Sequence, residues 1–374
     1  MSMIDFPVQE PTVGTAVFAF LSYLLVLKIG FLKRMNRGVQ CLTLGSGALF
    51  TLAVLMAIHT INGDFFHMLD AVHNYDFTPG AYHAQEPVYV NLAQIINKNY
   101  LLFRLIVWCS AFYAIFKTYK MLKINCYFAI WTFLACYSLI FAYARASAAM
   151  AIYYFGFVLL VKQGNNIIIR VLGVALLFLS YEFHHSMAIL ILLTPLAFVR
   201  LSKKAIYFAL SSLPILIVIV RYFFSNVLND ASILDNDTLQ ERVDTYSVRT
   251  EEVSIRMDLM NLVKYLTVYL PFISGFLYML KSYSRKVVDK TIFRLFVFTF
   301  CLLLVTSAVS FLDMEINTFF YRMLFMAIIP SVAFFVYLIQ KNIMPVKVAR
   351  KLILFCIFSQ LLNYIYMIYN NIVN

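Results

Sequence analysis

The sequence predicts an all-α polytopic membrane protein, with about 12 transmembrane helices and two long extracytoplasmic loops. Three observations carry that prediction. Of the 374 residues, 63% are hydrophobic and only 13% are charged, and mean hydropathy is +0.82. Soluble domains are roughly 45–50% apolar and about 25% charged, and a water-soluble globule of this size cannot hide so much apolar surface. The apolar residues also cluster in runs near the ~20 residues that a helix needs to cross hydrocarbon. Finally, the charges sort by side.

In chain order, candidate spans fall near 11–27, 39–58, 100–116, 124–142, 146–161 and 167–182. Six more follow near 186–199, 205–223, 262–280, 292–311, 319–339 and 352–369. The connections between 124 and 199 are very short. The first eleven residues hold Asp5 and Glu10 and no basic residue, so no signal peptide is expected. The whole chain, 1–374, reads as one integral membrane domain.

An N-terminus outside the cytoplasm puts 21 of the 30 Lys and Arg on inner connections, and 17 of the 18 acids outside. Asp289 is the inner exception. This is the positive-inside bias, and it leaves both termini extracytoplasmic. The net charge of +12 and the pI near 9.3 then report topology, and no nucleic-acid partner is expected.

Every inner connection is short, whereas two outer ones, 59–99 and 224–261, are long and hold most of the acids. In the first, Glu86-Pro87 precede Val88, Leu92, Ile95 and Ile96, which share one helical face. Proline suits a first helical position, and the stripe suits the outer membrane interface. The six cysteines lie in or beside apolar runs without metal-ligand spacing.

Four constellations could carry chemistry. Arg145 follows Phe-Ala-Tyr-Ala and precedes Ala-Ser-Ala-Ala at an outer turn, where it either meets a phosphate or snorkels to headgroups. Glu182, His184, His185 and Ser186 end another span. A histidine there can relay a proton or bond a neighbouring helix, and adjacent histidines point different ways. His-His without a further His or Cys is a poor metal signature, so neither metal nor cofactor is expected. Asp64, Asp70, Asp76 and Glu86 in the first long loop could serve as base or sugar clamp, or simply be solvated. Arg242, Arg249 and Arg256 alternate with acids and read as a salt-bridged helix. Arg322 has few acidic neighbours and is the better anion ligand.

No P-loop, G-x-G-x-x-G, H-E-x-x-H or G-x-S-x-G occurs, and no acid or base sits mid-span. Ion-coupled transporters usually need such mid-span groups.

An outer Gly63-Asp64, then Glu86-Pro87, Arg145, Phe183-His184 with Ser186, and a late Arg322 together resemble the EpsG/Wzy-type polysaccharide polymerases. These act in bacterial capsule, exopolysaccharide and O-antigen pathways. The resemblance covers roughly residues 59–195. It departs where His59 and Phe65-Phe66 flank the Gly-Asp, and where Ala146 follows the arginine. It implies a multi-pass glycosyltransferase of the bacterial inner membrane, joining undecaprenyl-diphosphate-linked repeat units on the outer face. It implies Arg145 and Arg322 on the diphosphate, Glu86 or His184 as base, and Asp64 on sugar. Its partners would be the lipid-linked glycan donor and acceptor within the bilayer; whether a chain-length regulator joins them stays open. A lipid-linked oligosaccharide flippase and an O-antigen ligase-like transferase are the alternatives.

Overall fold

A computed structural model describes residues 13–30, 37–57, 88, 91–92, 95–96, 100–138, 144–162, 164, 166–199 and 202–212. It further describes 214–215, 218–219, 222, 255–282, 288–310 and 324–373. Helix accounts for 89% of these, and no strand occurs among them. The order is α1 (Val13–Gly30), α2 (Arg37–Ala57), α3 (Tyr100–Met121), α4 (Cys126–Tyr137), α5 (Ala144–Val161) and α6 (Ile167–Phe183). After α7 (Met187–Leu193) comes a short 3-10 helix, Thr194–Phe198, and then α8 (Lys203–Ser211). The last four are α9 (Ile255–Ser282), α10 (Lys290–Ser310), α11 (Ile328–Gln340) and α12 (Val346–Val373).

Each of the twelve expected segments contains described helix, and the differences have local causes. The segment 186–199 splits into α7 and the 3-10 helix because Pro195 lies in the first turn after Leu193 and has no N–H to continue the ladder. In 205–223, α8 ends at Ser211, three residues before Pro214; Pro214, Ile215, Val218, Ile219 and Tyr222 are helical again and exposed. Helix α9 starts at Ile255, within the expected second loop. In the first loop Val88, Asn91, Leu92 and Ile95 are helical, and the Ile96 N–H donates to the Leu92 carbonyl at 3.1 Å. The apolar stripe divides there: Ile96 is 9% exposed and Ile95 80%.

Among the described residues one helix stretch, Val346–Tyr366, is long and apolar enough by itself to cross a membrane. Seven shorter apolar helices of 10–17 residues accompany it. Many of these helices turn large apolar side chains outward: Phe18, Leu21 and Leu25 on α1, Ile167, Ile168 and Phe178 on α6, Leu354 and Phe358 on α12. So much exposed hydrocarbon is a surface suited to lipid.

The chain forms two units, 1–192 with 335–374, and 193–334. In the first, α1, α2, α4 and α12 share an aromatic core. The Tyr23 hydroxyl donates to the Ala135 carbonyl at 2.6 Å, its ring stacks on Tyr364 at 4.9 Å, and Phe50 packs at 5.6 Å. Trp131 Nε1 donates to the Val26 carbonyl at 3.0 Å, which sets the end of α1 beside the start of α4. At that same end Gln340 ties two turns together. Its Oε1 accepts the Asn125 N–H at 3.0 Å, and its Nε2 donates to the Lys123 carbonyl at 3.4 Å. Exposed Lys28, Lys120, Lys123, Lys341 and Lys347 therefore gather at one end of this unit.

In the second unit α9 and α10 meet through phenylalanines. Phe272 stacks on Phe296 at 5.8 Å, Phe276 on Phe300 at 5.3 Å, and Phe334 closes on Phe296 at 5.0 Å. The Arg294 guanidinium lies over the Phe198 ring at 4.9 Å, docking the 3-10 helix. Asp289, the lone inner acid of the charge pattern, caps α10: its Oδ1 accepts from the Thr291 and Ile292 N–H groups at 2.8 and 3.3 Å.

Candidate functional site

Helices α5 and α6 form an antiparallel hairpin closed by a turn in which Gly164 takes a φ of +83°. Gly156 and Gly173 let the two backbones touch. A Cβ on Gly156 would meet the Gly173 carbonyl oxygen at 2.7 Å, and one on Gly173 would meet the Gly156 carbonyl oxygen at 2.8 Å. Any larger residue would force the helices apart, so this crossing fixes their register. Arg145 lies eleven residues before Gly156, and His184 eleven residues after Gly173. At ~1.5 Å rise per residue, both lie about 16 Å from the crossing, at the open end of the hairpin.

Helix α7 completes the open end. The Tyr153 hydroxyl of α5 donates to the Leu190 carbonyl of α7 at 2.9 Å, which ties α7 to α5. Between α6 and α7, His184 takes an extended conformation (φ −162°, ψ 115°). Its N–H donates to the Ser180 carbonyl at 3.1 Å, and its carbonyl accepts the Met187 N–H at 2.9 Å. Gly173, Leu177 and Ser180 make up the buried face of α6, and buried His184 continues it. His185 is half-buried and stacks on Tyr181 at 4.6 Å. The adjacent histidines thus part company, as their positions on a helix end require. The Ser186 hydroxyl is buried and meets no hydrogen-bond partner among the described residues.

Arg145 is the second residue of α5, and Ala148, Ala149 and Ala151 behind it are buried. Glu182 sits in the last turn of α6, half-buried, in line with exposed Phe178 rather than with the buried face. It is the one acid among the described residues of this unit. Asp64, Glu86 and Arg322 lie outside the described residues, as do Asp70, Asp76, Arg242 and Arg249. Arg256 falls in the first turn of α9.

One residue escaped the sequence reading. Arg104 is the fifth residue of α3, which packs against α5 and leads away from this end toward the basic turn at Lys123. An arginine between Phe103 and Leu105 in an apolar run was the available signal.

What this architecture defines is a helical protein with much lipid-suited surface, in which a basic end at Lys28, Lys123 and Lys341 lies apart from the open end of a glycine-crossed hairpin that carries Arg145 and His184. The chain belongs to the EpsG family, whose profile matches residues 59–374. Neither a curated protein nor a solved structure matches the chain. Membership of this family points to polysaccharide biosynthesis and a polymerase-like, glycosyltransferase role in a membrane.

Proposed function

We propose that the protein is a polysaccharide polymerase that joins undecaprenyl-diphosphate-linked oligosaccharide repeat units on the outer face of the bacterial inner membrane. The observation that supports this most is the glycine-set register, which brings the starts and ends carrying Arg145 and His184 to one level of one hairpin. On this reading the chain is multi-pass, with about twelve crossings and both termini extracytoplasmic. The Lys123–Lys341 end then faces the cytoplasm, in keeping with the positive-inside bias.

The chemistry suits these groups. A diphosphate is already an activated leaving group, so the protein needs to place the anomeric carbon, hold the departing charge and accept a proton. Arg145 is the diphosphate ligand, because its planar fork pairs two oxygens at once, and Arg322 is its second. His184 or Glu86 takes the proton from the acceptor hydroxyl, and Asp64 orients sugar. The acceptor oxygen attacks the anomeric carbon as the bond to the diphosphate oxygen breaks, which inverts that centre. This displacement is metal-independent. Donor, acceptor and bilayer are the partners, together with any chain-length regulator.

Purified protein incubated with a synthetic undecaprenyl-diphosphate repeat unit should yield a ladder of products. Single-repeat lipid-linked units that accumulate accessible from outside in a deletion strain would agree with it. Units trapped inside would favour a flippase, and transfer to a lipid A core in place of a second repeat unit would favour a ligase.

A further inference from the structure

Among the described residues the Ser186 hydroxyl has no hydrogen-bond partner. Elsewhere in these helices buried hydroxyls bond the carbonyl three or four residues back: Ser180 to Leu177 at 2.6 Å, Thr118 to Ala114 at 2.7 Å, Thr299 to Leu295 at 2.8 Å. Ser186 makes no such bond. Its Oγ is buried and unpartnered among the described residues, a costly state in an apolar bundle. Thr132, Ser138, Ser331 and Ser359 share that state; Thr132, Ser331 and Ser359 lie within helices and Ser138 caps the end of α4, whereas Ser186 lies in the turn between α6 and α7 at the open end of the hairpin.

Position adds to this. Ser186 precedes Leu190 by four residues, and the Leu190 carbonyl accepts from the Tyr153 hydroxyl. Arg145 lies eight residues, about two helical turns, before Tyr153, so Ser186 and Arg145 both lie on the open-end side of this hydrogen bond.

We propose that the Ser186 hydroxyl donates a hydrogen bond to a diphosphate oxygen of the bound lipid-linked glycan. The inference rests on the polymerase reading and assigns one more ligand to its leaving group. When the acceptor oxygen bonds the anomeric carbon, the electron pair of the breaking bond stays on the diphosphate, and the acceptor proton passes to the base. The hydrogen bond from Ser186 strengthens as that charge grows, whereas Arg145 holds it from the outer side.

The test uses the full chain in lipid nanodiscs. Ser186→Ala should lower kcat with the synthetic repeat unit by about 10–100-fold, the scale of one lost donor to a developing anion. Its affinity for undecaprenyl diphosphate alone should fall several-fold. Its thermal midpoint should hold or rise, because removing a buried unmade hydroxyl relieves a penalty. Ser186→Cys, of similar volume and with a weaker donor, should fall between. Unchanged turnover in Ser186→Ala overturns the proposal, and so does loss of activity in step with a lowered thermal midpoint. If the wild-type chain makes no ladder, the polymerase reading fails. The affinity for undecaprenyl diphosphate then decides separately, and an equal affinity in the Ser186→Ala chain sinks the role of Ser186.

Discussion

Two helix pairs in this molecule are joined by opposite means. Helices α5 and α6 meet through Gly156 and Gly173, backbone on backbone, whereas α9 and α10 stand apart on stacked Phe272, Phe276, Phe296 and Phe300. Contact through glycines permits one register and little slide, since each carbonyl fills the space where a side chain would be. Stacked rings tolerate shifts, because an offset ring pair is about as favourable over a range of offsets. The glycine pair is the one that carries polar and charged residues at its open end, and the phenylalanine pair carries the bulk of its unit's core. Positional accuracy and cohesion are thus assigned to different helices.

The sharpest way to break this contrast is Gly173→Leu. Its side chain would be driven into the Gly156 carbonyl and the Leu160 amide, which a Cβ alone would approach at 2.8 and 2.9 Å. The expected result is complete loss of polymer together with a polydisperse protein on size exclusion. Gly173→Ala, which calls for a smaller separation, should keep the fold and still lose most turnover. A fully active Gly173→Ala chain would show that hairpin register does not matter to the chemistry.

Next in size is Arg145→Lys, which keeps the charge and loses the fork. Polymer yield should drop by about 100-fold, within the range for removing one preorganised ligand of a developing anion. Unchanged chain length and yield would remove Arg145 from the diphosphate site.

These two predictions differ in what the sequence reveals of them. Arg145 and His184 are expected at one common end because successive apolar segments alternate direction, and the hairpin of α5 and α6 carries both at its open end. The twelve helical segments are legible for the same reason: long apolar runs punctuated by Lys, Arg and Pro. Gly156 and Gly173 are not legible. A single glycine in an apolar helix reads as a mild weakness, and nothing in either segment says that the two glycines meet. Nor does the sequence show that the Ser186 hydroxyl is buried without a partner among the described residues, since that depends on how the turn after His184 packs. Asp289 shows the converse: it breaks the charge rule in sequence, and an N-cap accounts for it in the fold.

Phe276→Ala addresses the other pair. It removes a ring stacked on both Phe296 and Phe300, and should cost about 3–5 kcal/mol of stability. The thermal midpoint measured in nanodiscs should fall. The kcat of the protein that remains folded should stay within about twofold of wild type, on the ~1.4 kcal/mol-per-decade scale. A kcat that falls with the midpoint would mean that the phenylalanine pair also positions the chemistry, and the division of labour would be lost.

Tyr153→Phe is the smallest change and links α7 to the hairpin. It deletes only the hydrogen bond to the Leu190 carbonyl, worth about 1 kcal/mol, and leaves that carbonyl near the end of a seven-residue helix without its side-chain donor. Because α7 follows directly on the turn of His184 and Ser186, the loss should appear as a few-fold lower kcat with almost no change in thermal midpoint. Combined with Ser186→Ala, the two losses should be less than additive, since a serine that no longer donates has nothing left to misplace. Simple additivity would instead place Tyr153 and Ser186 in separate tasks, and would leave the register of α7 without a part in holding the diphosphate.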